Sequence, residues 1–213
     1  MPTGIEHSVA SLETAFGTLW LAASARGLCR LALPSAKEHA RFAEWVKRHG
    51  PQGQQGMEVL ALAKTEVHEY LAGARRRFTV PLELEGSEFF RRVWDVLLSI
   101  PYGHTLTYTA LAAKAQRPRA VRAAGAACAL NPVPLIIPCH RAVGSTGALT
   151  GFGGGLAMKE ALLRMEGAMQ PLVMVVLTKV ELSAVLASFS ALAMTTELLK
   201  VWPLGAELVT TAL

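Results

Sequence analysis

The chain has 213 residues, of which 52% are apolar and 17% charged. This excludes a disordered or fibrous protein and is enough chain for one large domain or two small ones with their own cores. A formal charge of +5 permits a polyanionic partner without requiring one. Three cysteines, Cys29, Cys128 and Cys139, make no disulfide framework and no zinc-type spacing, which favours a reducing compartment and excludes a structural metal.

The N-terminal stretch "MPTGIEHSVASLETAFG" has no basic region followed by an apolar run, so no secretory signal is expected. "TAFGTLWLAAS" and "ARGLCRLALP" predict two strands joined around Arg26-Gly27 as a hairpin, with Cys29 alternating into the core between Leu28 and Leu31. A helix is predicted over 36–49, with Phe42, Trp45 and Val46 on one side and Gly50-Pro51 ending it. A second helix follows in "MEVLALAKTEVHEYLAG", its buried stripe made by Val59, Leu60, Ala63, Val67, Tyr70 and Leu71. "RRFTVPLEL" predicts another strand, with Arg75, Arg76 and Arg77 on a solvated edge. These elements make a small α/β unit, residues 1–85, ending at the polar link "EGSE".

Beyond that link the pattern becomes helical. Ser87 is placed to cap "EFFRRVWDVLLS", where Phe89, Phe90, Val93, Trp94, Leu97 and Leu98 share a face. Thr107 is placed to cap "YTALAAKA", and Pro118 to open "RAVRAAGAACAL" at its first helical position. Two short helices joined by such a turn form a helix-turn-helix. The second carries almost no side chain along most of its length (Ala120, Ala123, Ala124, Gly125, Ala126, Ala127), with only Arg119 and Arg122 near its start. That suits either a thin helix packed in a core or a bare surface brought against something narrow. A major-groove reader needs long polar side chains, whereas the minor groove offers little base identity to read. A last helix, "LAMKEALLRME", stops at Gly167.

"NPVPLIIPCHRAVG" places Cys139 between Pro138 and His140. A free cysteine is most often a small buried hydrophobe. As a nucleophile it would gain from His140 and Arg141, whose charge lowers a thiol pKa, although neighbours on an extended chain point to opposite sides. The glycine-rich "GSTGALTGFGGG" lacks the Lys-Ser/Thr of a nucleotide loop and fits a backbone that approaches a flat ligand closely. Glu166 is among the few acids of this half and is suited to orient a histidine.

"NPVPLIIPCHR", with the helix-turn-helix upstream, resembles the active-site stretch of the O6-alkylguanine-DNA alkyltransferases, the methylated-DNA–protein-cysteine methyltransferases. The resemblance runs from about Phe89 to Gly167; the N-terminal half is similar only in outline. It implies a ribonuclease H-like α/β domain with a small antiparallel sheet over 1–85. A mainly α-helical, winged-helix-like domain would span 86–168, and 169–213 would be an apolar extension. It also implies repair of O6-alkylguanine, and of O4-alkylthymine, by base flipping and irreversible transfer of the alkyl group to Cys139. In that scheme Arg122 replaces the extruded nucleotide in the minor groove, with Arg119, Ala120, Ala123, Gly125 and Arg141 along the duplex. Tyr108 crowds the phosphate and assists the leaving guanine, His140 takes the thiol proton, Glu166 holds the imidazole and Asn131 braces the turn. Pro134, Phe152, Gly153 and Gly154 line the pocket. Double-stranded DNA carrying the lesion is the implied partner of a cytoplasmic, nucleoid-associated monomer that uses no cofactor, metal or membrane. Phe152 stands where the family commonly has tyrosine, and the N-terminal half lacks the Cys/His set with which some members bind zinc.

Lys179 and Glu181 interrupt the apolar tail, so rather than crossing a membrane it is expected to cover an apolar patch, to form a dimer contact or to be poorly ordered chain. Two other classes fit parts of the chain. A lesion-binding protein on the same scaffold needs no thiol, and a Cys139–His140 hydrolase leaves Arg122 unexplained.

Overall fold

A three-stranded antiparallel sheet, in the order β1 (Ser8–Thr14), β2 (Gly17–Ala23), β3 (Leu28–Ala32), forms the N-terminal half of the computed structural model, which describes residues 7–49 and 53–169. The sequence predicts only one hairpin; the strand it misses is β1. "SVASLET" is poor in aromatic and β-branched residues and is mostly half-buried, so its alternation is weak. The predicted strand beginning at Thr14 instead starts in a turn: Thr14 Oγ1 donates to Gly17 O (2.7 Å) and accepts from Phe16 N (3.2 Å).

Alternation across the pleat sends β residues to two helices. Ala22 and Ala32 meet Phe42, Trp45 and Val46 of α1 (Ala36–Arg48), which Ser35 caps by accepting from Glu38 N. Leu19, Leu21 and Leu31 share the larger core with Leu60, Ala63, Val67 and Tyr70 of α2 (Met57–Leu71).

"RRFTVPLEL" is not a strand. Pro81 has no N–H to give, and buried Glu66 takes the amides of Thr79 and Val80 that a ladder would need. What remains is an isolated parallel bridge between Leu28 and Leu82. Arg75 is also not a free edge residue: it pairs with Glu66 (3.1 Å) and Glu69 (2.7 Å).

In the second half, α3 (Glu88–Leu98) and α4 (Tyr108–Lys114) begin where Ser87 and Thr107 cap them, through Phe90 N and Ala110 N. The next helix, α5 (Val121–Ala129), starts later than predicted. Pro118 lies in the turn rather than at a first helical position, because Gln116 enters the left-handed region (φ +62°) and Ala120 closes on Arg117 O. α6 (Leu156–Met165) ends at Glu166 and Gly167 (φ +75°). Short strands β4 (Leu106–Thr107) and β5 (Ala142–Val143) pair in parallel.

The two halves are tied by main chain as well as by core. Leu31 N donates to Pro132 O (2.8 Å), so β3 holds the start of the cysteine-bearing loop. Ser35 Oγ donates to Gly153 O (3.0 Å), fixing the glycine-rich loop. Apart from Met169, the extension expected over 169–213 lies outside the described residues. Among the described residues no helix is long and apolar enough to cross a membrane.

Candidate active site

One face of the bare helix is packed in the core and the other is open. Ala124 and Ala127 are fully buried, which lets α3 approach until Trp94 Nε1 donates to Ala127 O (3.0 Å). On the outer side Arg122 is exposed, as is Arg119 in the preceding turn, while Ala120, Ala123 and Gly125 are half-buried. A methyl group added at Gly125 would meet nothing within 4 Å, so packing does not demand glycine there. The outer side of α5 thus carries mostly small side chains, with one long cation, Arg122, near its start.

Beyond α5 every residue from 131 to 143 is buried. Asn131 governs this loop: its Nδ2 donates to Ile137 O (2.8 Å) and its Oδ1 accepts from Val133 N (3.0 Å). Pro134 is buried and bridges to Ile137, and Leu135 is held at φ +74°, an uncommon conformation for a bulky residue. Such strain costs about 1–3 kcal/mol and persists only where the surroundings over-determine it.

The loop delivers Cys139 on a 3-10 turn, Cys139–Arg141, not on the extended segment the sequence suggests. The electrostatics also differ from the sequence expectation. Burial pushes the Cys139 thiol above its ordinary 9.0, opposed by the Asn131 amide and the Lys159 ammonium. Burial likewise lowers His140 from 6.5, against the raising effect of Glu166. The resting pair is therefore a neutral thiol beside a neutral imidazole. Arg141, expected along the DNA surface, is buried. Its Nε and Nη2 donate to the two oxygens of Glu166 (2.9 and 2.8 Å) and its Nη1 to Ile100 O (2.6 Å), so its charge is spent inward.

Glu166 Oε1 also lies 3.0 Å from His140 Nε2. Because that oxygen can only accept, Nε2 carries the ring proton and Nδ1 the lone pair. Nδ1 is buried and has no hydrogen-bond partner among the described residues. It is the atom free to take a proton. Phe152 sets its ring edge-on to His140 at 6.2 Å between centroids. A methyl group at Gly153 would lie 3.2 Å from the Glu38 side chain, and one at Gly154 would force the Met158 thioether to move. Tyr108, half-buried, accepts from Thr150 Oγ1 (3.2 Å); burial raises its phenol above the ordinary 10.0, so it keeps its proton at neutral pH.

Two residues escaped the sequence reading. Lys159 is fully buried, donating to Ala142 O (2.6 Å) and Thr150 O (3.0 Å) with its ammonium 5.9 Å from the Tyr108 ring centroid. A lysine three residues from Leu156 and Leu162, on the apolar stripe of its helix, was the available signal. Tyr70 was placed in a core stripe, yet its hydroxyl donates to Glu166 Oε1 (2.6 Å). A buried tyrosine needs a partner for its hydroxyl.

Residues 9–84 match the family described as "6-O-methylguanine DNA methyltransferase, ribonuclease-like domain", and residues 88–168 its "DNA binding domain". The chain is 42% identical over 128 residues to the inducible methylated-DNA–protein-cysteine methyltransferase of Bacillus subtilis, covering 58% of this chain and 70% of that one. It is 36% identical over 156 residues to the Methanosarcina barkeri protein of the same description, covering 73% and 94%. The crystal structure of Mycobacterium tuberculosis OGT in complex with DNA superposes with a TM-score of 0.65 at 34% identity, covering 78% of this chain and 96% of that chain.

Proposed function

The chain belongs to the 6-O-methylguanine DNA methyltransferase family, which repairs DNA by moving an alkyl group onto a protein cysteine. From that premise we propose that Cys139 is the acceptor and that O6-alkylguanine, with O4-alkylthymine, is the lesion. The observation that carries the assignment is the buried Nδ1 of His140, a lone pair backed by Glu166 one residue from a neutral thiol.

The flat face of α5 enters the minor groove of double-stranded DNA, and Arg122 fills the space of the flipped nucleotide. Unstacking costs a few kcal/mol, less at a badly paired lesion, so selection begins before chemistry. Tyr108 crowds the phosphate. No direct hydrogen bond joins Cys139 to His140 among the described residues, so the thiol proton reaches Nδ1 through a bridging water. The sulfur–carbon bond forms as the bond from carbon to the guanine oxygen breaks; the guanine takes a proton from the Tyr108 phenol, and the proton held on His140 returns through water to the phenolate. Asn131 and Lys159 favour the developing thiolate. The thioether has no hydrolytic route in this site, so each monomer acts once.

Incubation with a duplex carrying one O6-methylguanine, followed by intact mass, is expected to show one added methyl group on the Cys139 peptide. Unmodified protein that still binds the duplex would favour a lesion sensor, and repeated turnover of an ester a hydrolase. Arg122→Ala is expected to slow repair of duplex by on the order of tenfold or more while leaving reaction with free O6-alkylguanine base within about twofold. Equal losses on both substrates would remove the extrusion role.

A further inference from the structure

The proton-accepting pair is not completed by its own domain. Tyr70, on α2 of the N-terminal half, is fully buried, and its ring packs against Phe78 (5.2 Å between centroids) and edge-on to Tyr102 (6.3 Å). Its hydroxyl reaches across to Glu166 Oε1 (2.6 Å) and lies 3.2 Å from His140 Nε2.

The direction of each hydrogen bond follows from chemistry. Glu166 is ionised and accepts only, so the phenol spends its one proton there. The phenol oxygen can then only accept from the imidazole, and Nε2–H is shared between Glu166 Oε1 and Tyr70 Oη. Two acceptors on the Nε2 side hold the ring proton and the ring plane, and the lone pair is left on Nδ1, the buried atom without a partner. Glu166 is itself gripped from both sides, by Tyr70 on Oε1 and by Arg141 on both oxygens.

We infer that Tyr70 is a positioning residue of the alkyl-transfer reaction, delivered by the N-terminal domain to fix His140 as an Nδ1 base. This rests on the reading of His140 as the acceptor of the Cys139 proton. It makes the ribonuclease-like half part of the chemical step, since thiol activation depends on α2 being docked against Glu166.

The test is Tyr70→Phe, which keeps the packed ring and removes only the hydroxyl. On unreacted, substrate-free protein, nitrogen-edited NMR is expected to show Nε2–H on His140 in the unchanged chain. In the variant that resonance should be shifted and its exchange with water faster. Transfer from free O6-alkylguanine base should fall about fivefold to tenfold, the worth of one ordinary hydrogen bond, with duplex affinity unchanged. Phe78→Leu is the control: it loosens the packing around Tyr70 without touching His140 or Glu166, and should leave the resonance in place. The inference is overturned by a ring proton on Nδ1 in the unchanged protein, by an unmoved resonance and rate in Tyr70→Phe, or by the same resonance shift in Phe78→Leu. If no alkyl group reaches Cys139 in the unchanged chain, the functional reading fails, yet the resonance comparison still decides the role of Tyr70.

Discussion

Cys139→Ala is expected to abolish alkyl transfer completely, from one methyl group per chain to none, while binding to methylated duplex persists. All three thiols are pushed up by burial, Cys29 to about 11 and Cys128 further, so thiol ionisation alone singles out none of them. Burial favours the neutral thiol at Cys139, so the reaction calls for a neighbour that takes the thiol proton. The difference lies in the neighbours. Cys29 has Gly27 O at 3.4 Å and the Glu83 carboxylate at 3.8 Å, both unfavourable to a sulfur anion. Cys128 is affected by burial and by Cys139, both of which raise its thiol, and by the Lys159 ammonium, which lowers it. Cys139 has the Asn131 amide and the Lys159 ammonium, and in the proposed relay also the Nδ1 of His140. Removing its sulfur therefore leaves no substitute acceptor. Peptide mapping checks this, and methylation appearing on Cys128 in the variant would show that the pocket, not the relay, selects the sulfur.

Features set by local interactions were the most legible in the sequence. Ser87 and Thr107 cap the helices they were expected to cap, because a side-chain oxygen bonding the third amide onward is a local interaction. Asn131 likewise braces its own loop within six residues. Errors arose where long-range partners override local pattern. "RRFTVPLEL" has strand composition, but Glu66, thirteen residues upstream, claims the amides. Arg141 looked like a surface cation beside a thiol; its guanidinium is instead turned to Glu166, twenty-five residues away. Tyr70 could not be assigned to the site from sequence at all. Helical periodicity places its ring in the core correctly, but which buried group its hydroxyl meets depends on how two domains dock, Glu166 lying ninety-six residues further along the chain.

Glu166→Gln is the substitution expected to combine the largest loss of stability with a loss of rate. The side chain is wholly enclosed, and burial by itself would raise its carboxyl. The hydrogen bonds from His140, Arg141 and Tyr70 outweigh that and hold it at about 2, against an ordinary value of 4.5. Glutamine keeps the shape but not the charge, leaving the enclosed Arg141 without a counter-ion and turning an amide donor toward donors. Breaking such a pair costs about 3–5 kcal/mol, and a carboxyl lowered from 4.5 to about 2 is worth about 3 kcal/mol by linkage. Because the folded value lies below the unfolded one, this stability is fully present above 4.5 and is lost as the pH falls toward 2. Urea unfolding should show the unchanged protein and the variant well separated at neutral pH and converging near the lower end of that window. A gap that stayed constant with pH would mean packing, not charge, is responsible. Transfer should slow by on the order of a hundredfold, because the imidazolium formed at His140 loses its anion. The same carboxylate thus holds Arg141 inside the fold and keeps the His140 lone pair on Nδ1, so its stability and chemical roles are lost together.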